Sequence, residues 1–211
     1  MSKRAVFYVD GFNLYHAIDR IGKPHLKWFS LQDYAAFITA REGETLEGVQ
    51  YFSALAHHYP LSVPRHQAYI RALKRTGIVC TLGKFKKKPR QCKKCQQVYN
   101  SHEEKETDVS IGVKMIADAV DGKADVLYLV TTDSDLSPAV RFIRERFPAL
   151  ELVTVAPPGR RHPSELLSLC QRNETLDEVA VEKNRLAETY TDARGRINCP
   201  AEYQLPVTSN P

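Results

Sequence analysis

The chain contains 211 residues, of which 43% are hydrophobic and 26% are charged, and its formal net charge is +5. This length and composition suit one α/β domain with a tail and allow a hydrophobic core without stabilising cross-links. No apolar run reaches the roughly 20 residues that a membrane helix needs, and no apolar stretch follows a basic start, so we expect neither a membrane protein nor a signal peptide.

The first 82 residues alternate short apolar runs, which predict buried strands, with amphipathic runs, which predict helices. The predicted elements, in chain order, are the strand 5–9, the helices 13–21 and 31–41, the strand 49–56, the helix 64–76 and the strand 78–82. Ser30 is the predicted N-cap of the second helix. Pro64 near the start of the third helix and Gly77 just past its end are typical of helix boundaries.

A basic, cysteine-bearing insertion follows at about residues 84–104, and the alternation then resumes. The predicted elements after it are the helix 106–120, the strand 126–130, the helix 136–147, the strand 150–155 and the helix 164–170. In the first of these helices, four apolar residues share one face: Val109, Val113, Ile116 and Val120. Ser164 is the predicted N-cap of the last helix.

This order of elements predicts an α/β fold. Strands that alternate with helices imply βαβ units, and therefore a mainly parallel sheet of five or six strands between two layers of helices, a three-layer α/β/α sandwich. We expect the domain to span residues 1–186. The remaining residues, 187–211, are polar and end with several prolines, which predicts a loosely ordered tail.

Acidic residues follow the predicted strands. Asp10 ends the first strand, and Asp133 and Asp135 follow the fourth. Asp108 lies in the first turn of the helix after the insertion. Because sites in open parallel sheets form outside the carboxyl ends of the strands, we expect these four side chains to lie close together. Asn13 adds an amide that can orient an aspartate or a metal-bound water.

Each of these acids also has a purely structural interpretation. Asp10 with Gly11 suits a simple turn, Asp135 suits a helix N-cap, and Asp108 suits the positive end of a helix dipole. Four carboxylates at one edge would repel one another, however, and a hard cation such as Mg²⁺ relieves that repulsion directly. One or two such ions can supply what phosphodiester hydrolysis needs, without a serine–histidine pair.

The insertion is strongly basic, since residues 83–95 hold seven of the thirty basic residues. Such a run favours a polyanionic partner, although a merely solvated loop is the alternative. The candidate nucleic-acid contacts are Lys84, Lys86, Lys87, Lys88, Arg90, Lys93 and Lys94. Phe85 and Tyr99 suit either stacking on bases or packing within the protein.

Cys92 and Cys95 form half of a zinc site, and His102 is the best local third ligand. The fourth ligand would come from a second chain or from one of three candidates: Cys80, His57 and His58. Reduced thiols without a function are the alternative, and a redox motif is disfavoured because the pair lies in a Lys-rich loop. Five cysteines with one close pair argue against a disulfide framework and favour a reducing compartment, so we expect a cytoplasmic protein.

Three segments occur in order along the chain: residues 7–15 (FYVDGFNLY), 104–109 (EKETDV) and 132–138 (TDSDLSP). Together they resemble the NYN domain family, a branch of the PIN-like nucleases, over about residues 4–175. The paired cysteines and the segment 156–158 also resemble its bacterial members. The resemblance implies a PIN-like, Rossmann-like α/β/α sandwich and a Mg²⁺- or Mn²⁺-dependent ribonuclease that acts on single-stranded or structured RNA.

Carried over by motif, the resemblance also implies roles for the acids. Asp10, Asp108 and Asp133 would hold the metal, directly or through water. Asp135 would complete the cluster or activate water, and Asn13 would lie beside the first strand.

One departure from the family pattern lies immediately before the third acidic motif. Family members usually carry Ser-Gly there, whereas this chain has Thr131 and Thr132. The side chain of Thr132 could narrow the site or slow it.

Other functions stay open at this point. The main alternative is a module of the same fold that binds RNA or a protein without cleaving it. A haloacid-type phosphatase is disfavoured because Phe12 stands where its second acid is expected, and a dinucleotide site is disfavoured because no G-x-G-x-x-G follows a strand. Acids do not read the sugar, so DNA is not excluded. A homodimer is a further possibility.

Overall fold

Within residues 2–206, which the computed structural model describes, one central sheet contains seven strands. In chain order they are β1 (Arg4–Asp10), β2 (Thr45–Ala54), β3 (Val79–Gln91), β4 (Val98–Lys105), β5 (Val126–Val130), β6 (Glu151–Ala156) and β7 (Arg172–Thr175). Their order across the sheet is β4-β3-β2-β1-β5-β6-β7, and only the β3–β4 pair is antiparallel. The predicted α/β class is confirmed, and the sheet exceeds the expected five or six strands because β4 and β7 were not predicted.

Helices cover both faces of this sheet. In chain order they are α1 (Gly11–Asp19), α2 (Leu31–Arg41), α3 (Val63–Arg75), α4 (Thr107–Val120), α5 (Ser137–Arg146), α6 (Ser164–Leu169) and α7 (Glu178–Lys183). The Ser30 hydroxyl accepts the Asp33 N–H as the predicted N-cap of α2, and Gly77 has a φ of +92° just past α3. Ser164 is not an N-cap, since Pro163 holds that position. None of the described helices is long and apolar enough to cross a membrane.

Alternation along β1 separates two hydrophobic layers. Phe7 and Val9 point into the layer beneath α1, α2 and α3. Val6 and Tyr8 point into the layer beneath α4, α5 and α6. Because successive side chains of a strand point to opposite faces, one apolar strand fills both layers of an α/β/α sandwich.

The face of α4 that packs on the sheet is not the face whose periodicity predicted the helix. Val109, Val113 and Val120 are 69%, 61% and 64% exposed. Ile111 and Met115 fill the layer against the sheet instead. Both faces of α4 carry apolar residues, so periodicity predicts the helix without deciding its orientation.

The basic insertion is a β-hairpin rather than a loop. The far half of β3 pairs with β4 from Lys84 opposite Lys105 to Gln91 opposite Val98. Cross-strand hydrogen bonds therefore satisfy the backbone of a segment with almost no buried side chains.

Residues 187–206 differ from the loosely ordered tail that their composition predicts. They form an antiparallel hairpin of β8 (Thr189–Asp192) and β9 (Gly195–Asn198), followed by a short 3-10 turn. Ile197 and Tyr203 are only 1% and 7% exposed and join the core layer beneath α1–α3. A few well-placed apolar side chains thus anchor a polar segment. Residues 207–211 lie outside the described part of the chain.

Candidate functional site

The carboxyl ends of β1 and β5 and the N-terminus of α4 meet at one edge of the sheet. One carboxylate oxygen from each of Asp108, Asp133 and Asp135 lies within 4.8 Å of the others. Among residues 2–206, this is the one group of three or more acidic, histidine or cysteine ligands so close together. We call these three residues the acid group.

Asp10 borders the acid group and is the most buried of the four predicted acids. It is 5% exposed. One carboxylate oxygen accepts the backbone N–H of Asn13 at 3.0 Å, and the other accepts the hydroxyl of Thr131 at 3.0 Å. Burial raises the pKa of Asp10, while these two hydrogen bonds act against the rise. The side chain is therefore held rigidly at the end of β1.

The two threonines that depart from the family pattern connect β1 to the acid group. The Thr131 hydroxyl also accepts the N–H of Asp133 at 3.0 Å, so it bridges two of the acids. The N–H and hydroxyl of Thr132 both donate to the Asn13 side-chain oxygen, at 3.1 and 3.0 Å. Asn13 therefore positions the loop that carries Asp133, and the Thr132 hydroxyl is held by this contact.

The turn after β5 is shaped by Asp133 rather than by Asp135. The Asp133 carboxylate accepts the N–H of Asp135 at 2.9 Å and caps a short 3-10 turn, Ser134–Leu136. Asp135 caps no helix, and its side chain is exposed. Asp108 likewise caps nothing, although it lies in the first turn of α4.

Several carboxylates lie close enough to Asp108 to perturb its titration. Burial, followed by the charges of neighbouring carboxylates, raises the pKa of Asp108 to about 6. The neighbours responsible are Asp10, Asp133, Glu104 and Asp135. An all-oxygen donor set with excess negative charge fits a hard divalent cation such as Mg²⁺ or Mn²⁺.

Glu104 is an acid of this site that sequence analysis missed. Its carboxylate accepts the hydroxyl of Thr107 and, at 3.3 Å, the Thr107 N–H. Its charge contributes to the raised pKa values of Asp10 and Asp108. Glu104 lies in the recognised segment 104–109, but only the return of β4 toward the sheet brings its side chain to this edge.

Gly11 allows β1 and α1 to approach β2 closely. A Cβ atom on Gly11 would lie 2.5 Å from the ring of Tyr51 and 2.6 Å from the carbonyl oxygen of Phe52. Such contacts are too short for any side chain, so the glycine is required by packing beneath the site rather than by a turn.

The predicted basic contacts divide into paired and unpaired side chains. Lys84 forms a salt bridge with Glu106, and Lys88 and Arg90 both pair with Glu103. Within the described residues, the other four form no salt bridge: Lys86, Lys87, Lys93 and Lys94. These four are the basic side chains of the hairpin that are free to meet phosphates.

The predicted zinc ligands do not come together within one chain. His102 lies opposite Lys87, four residue pairs before the hairpin turn that carries Cys92 and Cys95. At about 3.4 Å per pair, this separation is roughly 14 Å, too far for a shared ion. Cys80 lies at the opposite end of β3. The expectation of His102 as the third ligand is therefore wrong for a site within this chain.

A cavity of about 950 Å³ opens beside the acid group. It lies between α1, the loop after β2, α3 and the β3–β4 hairpin. Gly11 and Glu104 belong to its wall, so the cavity and the acids share a border.

The matches to known proteins include a family model and two individual proteins. A family model described as NYN domain matches residues 4–177. The protein 6-hydroxy-3-succinoylpyridine 3-monooxygenase HspA of Pseudomonas putida is 24% identical over 141 residues, which cover 66% of this chain and 44% of that protein. This chain therefore spans less than half the length of that relative.

The second relative is known by its structure. The crystal structure of a protein of unknown function from Vibrio parahaemolyticus is similar with a TM-score of 0.59 and 17% identity, over 84% of this chain and 94% of that chain. Similarity at this level of identity shows the fold alone.

Proposed function

Because this chain belongs to the NYN domain family, we propose that it is a PIN-like nuclease that hydrolyses RNA phosphodiester bonds with Mg²⁺ or Mn²⁺. The observation that carries the proposal is the acid group at the carboxyl edge of the sheet. Its donors are all carboxylate oxygens, and the raised pKa of Asp108 marks charge that a cation would neutralise.

The side chains have distinct parts in this proposal. Asp108, Asp133 and Asp135 would hold the cation, which supplies Lewis-acid polarisation of a phosphoryl oxygen when bound. Asp10, the remaining expected metal ligand, lies outside the group of three and would act on the cation through a bridging water. Asn13 would keep the loop of Asp133 in place. Asp135 is the exposed member, so its carboxylate is the group that can orient an incoming water and accept its proton.

RNA as the substrate is supported by the family and by the hairpin. The hairpin lysines that form no salt bridge would attract a phosphate backbone. Single-stranded and structured RNA both remain within the proposal. Preference for RNA over DNA rests on the family alone, because no described side chain identifies a 2′-hydroxyl contact.

A second candidate function comes from the Pseudomonas relative, whose name describes oxidation of a substituted pyridine. The aromatic cavity beside the acids is the observation that favours it, since a small planar heterocycle would fit there. A chain of this kind would bind such a heterocycle and would not cleave RNA. A module that binds RNA or a protein without cleavage would likewise lack metal-dependent cleavage.

Three further expectations stay predictions. A zinc ion on Cys92 and Cys95 would take its other ligands from a second chain, since His102 is too far away. The other two are a homodimer, which size-exclusion chromatography checks, and a cytoplasmic location, which is inferred from the cysteine pattern and is checked by cell fractionation.

The test is cleavage of labelled single-stranded and structured RNA with Mn²⁺, with Mg²⁺ and with EDTA. We expect the Asp133→Asn variant to lose at least about 100-fold of the cleavage rate, because it loses a metal-binding carboxylate. Its amide oxygen can still accept the Asp135 N–H, so the turn is preserved. Asp121→Asn, at the opposite end of α4, is the matched control and should keep full activity. Cleavage that persists in EDTA or in Asp133→Asn would refute the proposal.

A further inference from the structure

The cavity beside the acid group has no part in the RNA cleavage proposed above. It is bounded by α1, the loop of residues 55–62 after β2, α3 and the hairpin. Its volume of about 950 Å³ is in the range of cavities that hold a drug-sized ligand. Gly11 and Glu104, which border the acids, belong to its wall.

Aromatic rings form a continuous wall of this cavity. Phe12 lies at its centre, with ring centroids 5.5 Å from Phe85 and 6.5 Å from His66, both edge to face. His58 continues the wall, 4.8 Å from Phe85 and stacked on His102 at 4.1 Å. The wall thus joins α1, α3, the loop after β2 and both strands of the hairpin.

Two polar groups of the cavity, His66 and Arg65, are held by partners within the chain. The Nε2 atom of His66 lies 3.3 Å from the hydroxyl of Ser53, which is 1% exposed. Burial lowers the pKa of His66 to about 4, so its ring is neutral near pH 7 and offers one donor and one acceptor. Arg65 is held by a salt bridge to Glu202. Such a lining suits a flat, uncharged ligand with a polar edge.

The cavity adjoins Asp10, which borders the acid group. Phe12 follows Asp10 by two residues, at most about 7 Å of backbone. This spacing is short enough for one RNA strand to place a phosphate at the acids and a neighbouring base against Phe12. A base within a duplex is stacked and paired, whereas a base in a single strand is free to enter such a cavity.

We propose that this aromatic cavity binds one unpaired nucleobase of the RNA strand whose adjacent phosphate lies at the acid group. The inference rests on the proposed function and adds to it a binding site for the base next to the cleaved phosphate. Stacking on the aromatic wall holds the base, and the Ser53–His66 pair meets its polar edge.

The test measures base capture separately from cleavage. The probe is a 12-nucleotide single-stranded RNA of uridines with one central 2-aminopurine, whose fluorescence falls when it stacks. It is titrated with the full chain carrying Asp133→Asn, so that the strand stays intact. We expect saturable quenching, and an at least about 5-fold weaker affinity when Phe85→Leu is added. His58→Leu, in the loop after β2, is a second variant with the same expectation.

Phe37→Leu is the matched control. Phe37 is 57% exposed on α2 and does not line the cavity, so its replacement should leave the affinity unchanged. The same 2-aminopurine held in a base-paired hairpin, where it is already stacked, should show no further quenching when the protein is added. Absence of quenching, or equal affinities of the Phe85→Leu and Phe37→Leu chains, overturns the inference.

Cleavage by the unmodified chain keeps the two proposals apart. Metal-dependent cleavage without quenching would leave the nuclease standing and remove the base cavity. Quenching that Phe85→Leu weakens, without any cleavage by the unmodified chain, would support the cavity and remove the nuclease. If the protein quenches free 2-aminopurine as strongly as 2-aminopurine in the strand, the cavity binds a small heterocycle, and the link to the adjacent phosphate is overturned.

Discussion

Asp108 is the residue of the site whose pKa is raised most clearly by neighbouring carboxylates. Burial and the surrounding carboxylates raise its pKa in the folded chain to about 6, whereas an unfolded chain leaves an aspartate near 3.9. The folded state therefore binds the proton more tightly than the unfolded state. Protonation of Asp108 therefore contributes to the free energy of unfolding in full below about pH 3.9, and this contribution is lost as the pH rises through about 6.

We predict that Asp108→Asn stabilises the metal-free protein at pH 7.5 by about 1 kcal/mol, an amount reduced for solvent screening at a half-exposed group. The gain should shrink toward pH 4, where the carboxyl of the parent chain is protonated as well. Urea unfolding in EDTA at several pH values measures it, with Asp121→Asn as control. A gain that does not change with pH would contradict this account of Asp108.

The β3–β4 hairpin sorts a run of basic residues into two faces. Phe85 lies opposite Glu104, and Lys87 lies opposite His102. Because Glu104 and His102 line the cavity, Phe85 and Lys87 point to the cavity side. The adjacent Lys86 lies on the opposite side, directly across from Glu103. Since strand side chains alternate, neighbouring lysines of one run meet different surroundings.

Lys87→Ala should therefore weaken binding of a single-stranded RNA more than Lys86→Ala does. We expect a loss of about 3-fold to 10-fold for Lys87→Ala, with a salt dependence lower by about 0.7 in log–log slope, the value of one phosphate contact. Lys86→Ala should change both quantities little, because Glu103 lies across from it. Fluorescence anisotropy at several KCl concentrations measures both chains, and equal losses would show that the hairpin acts only by its total charge.

The polar segment after residue 186 packs against the core of the domain, although its composition predicts a loosely ordered tail. The indole N–H of Trp28 donates to the carbonyl of Ala187 at 2.9 Å, and the N–H of Leu186 returns to the carbonyl of Trp28 at 3.0 Å. Ile197 and Tyr203 then fill the core layer beneath α1–α3. Tyr203 also lines the aromatic cavity, so this segment supports the candidate site as well as the fold.

Ile197→Ala should lower the free energy of unfolding by about 2–4 kcal/mol, because the side chain is fully buried and its removal leaves a cavity. Val179→Ala, at a position that is 53% exposed on α7, should change it by less than about 0.5 kcal/mol. Denaturant unfolding compares the two chains. Equal, small effects would mean that the segment after residue 186 adds nothing to stability.

The sequence by itself determined the alternation of strands and helices, the family and the positions of Asp10, Asp133 and Asp135 beside strand ends. These features are local, because periodicity, caps and strand-end residues lie within a few positions of one another. Only the tertiary structure decided which face of α4 packs, which lysines of the hairpin are paired, and that Glu104 joins the acids. It also decided the formation of the aromatic cavity and the burial of Ile197. Each of these features depends on which residues, distant in the sequence, pack against one another.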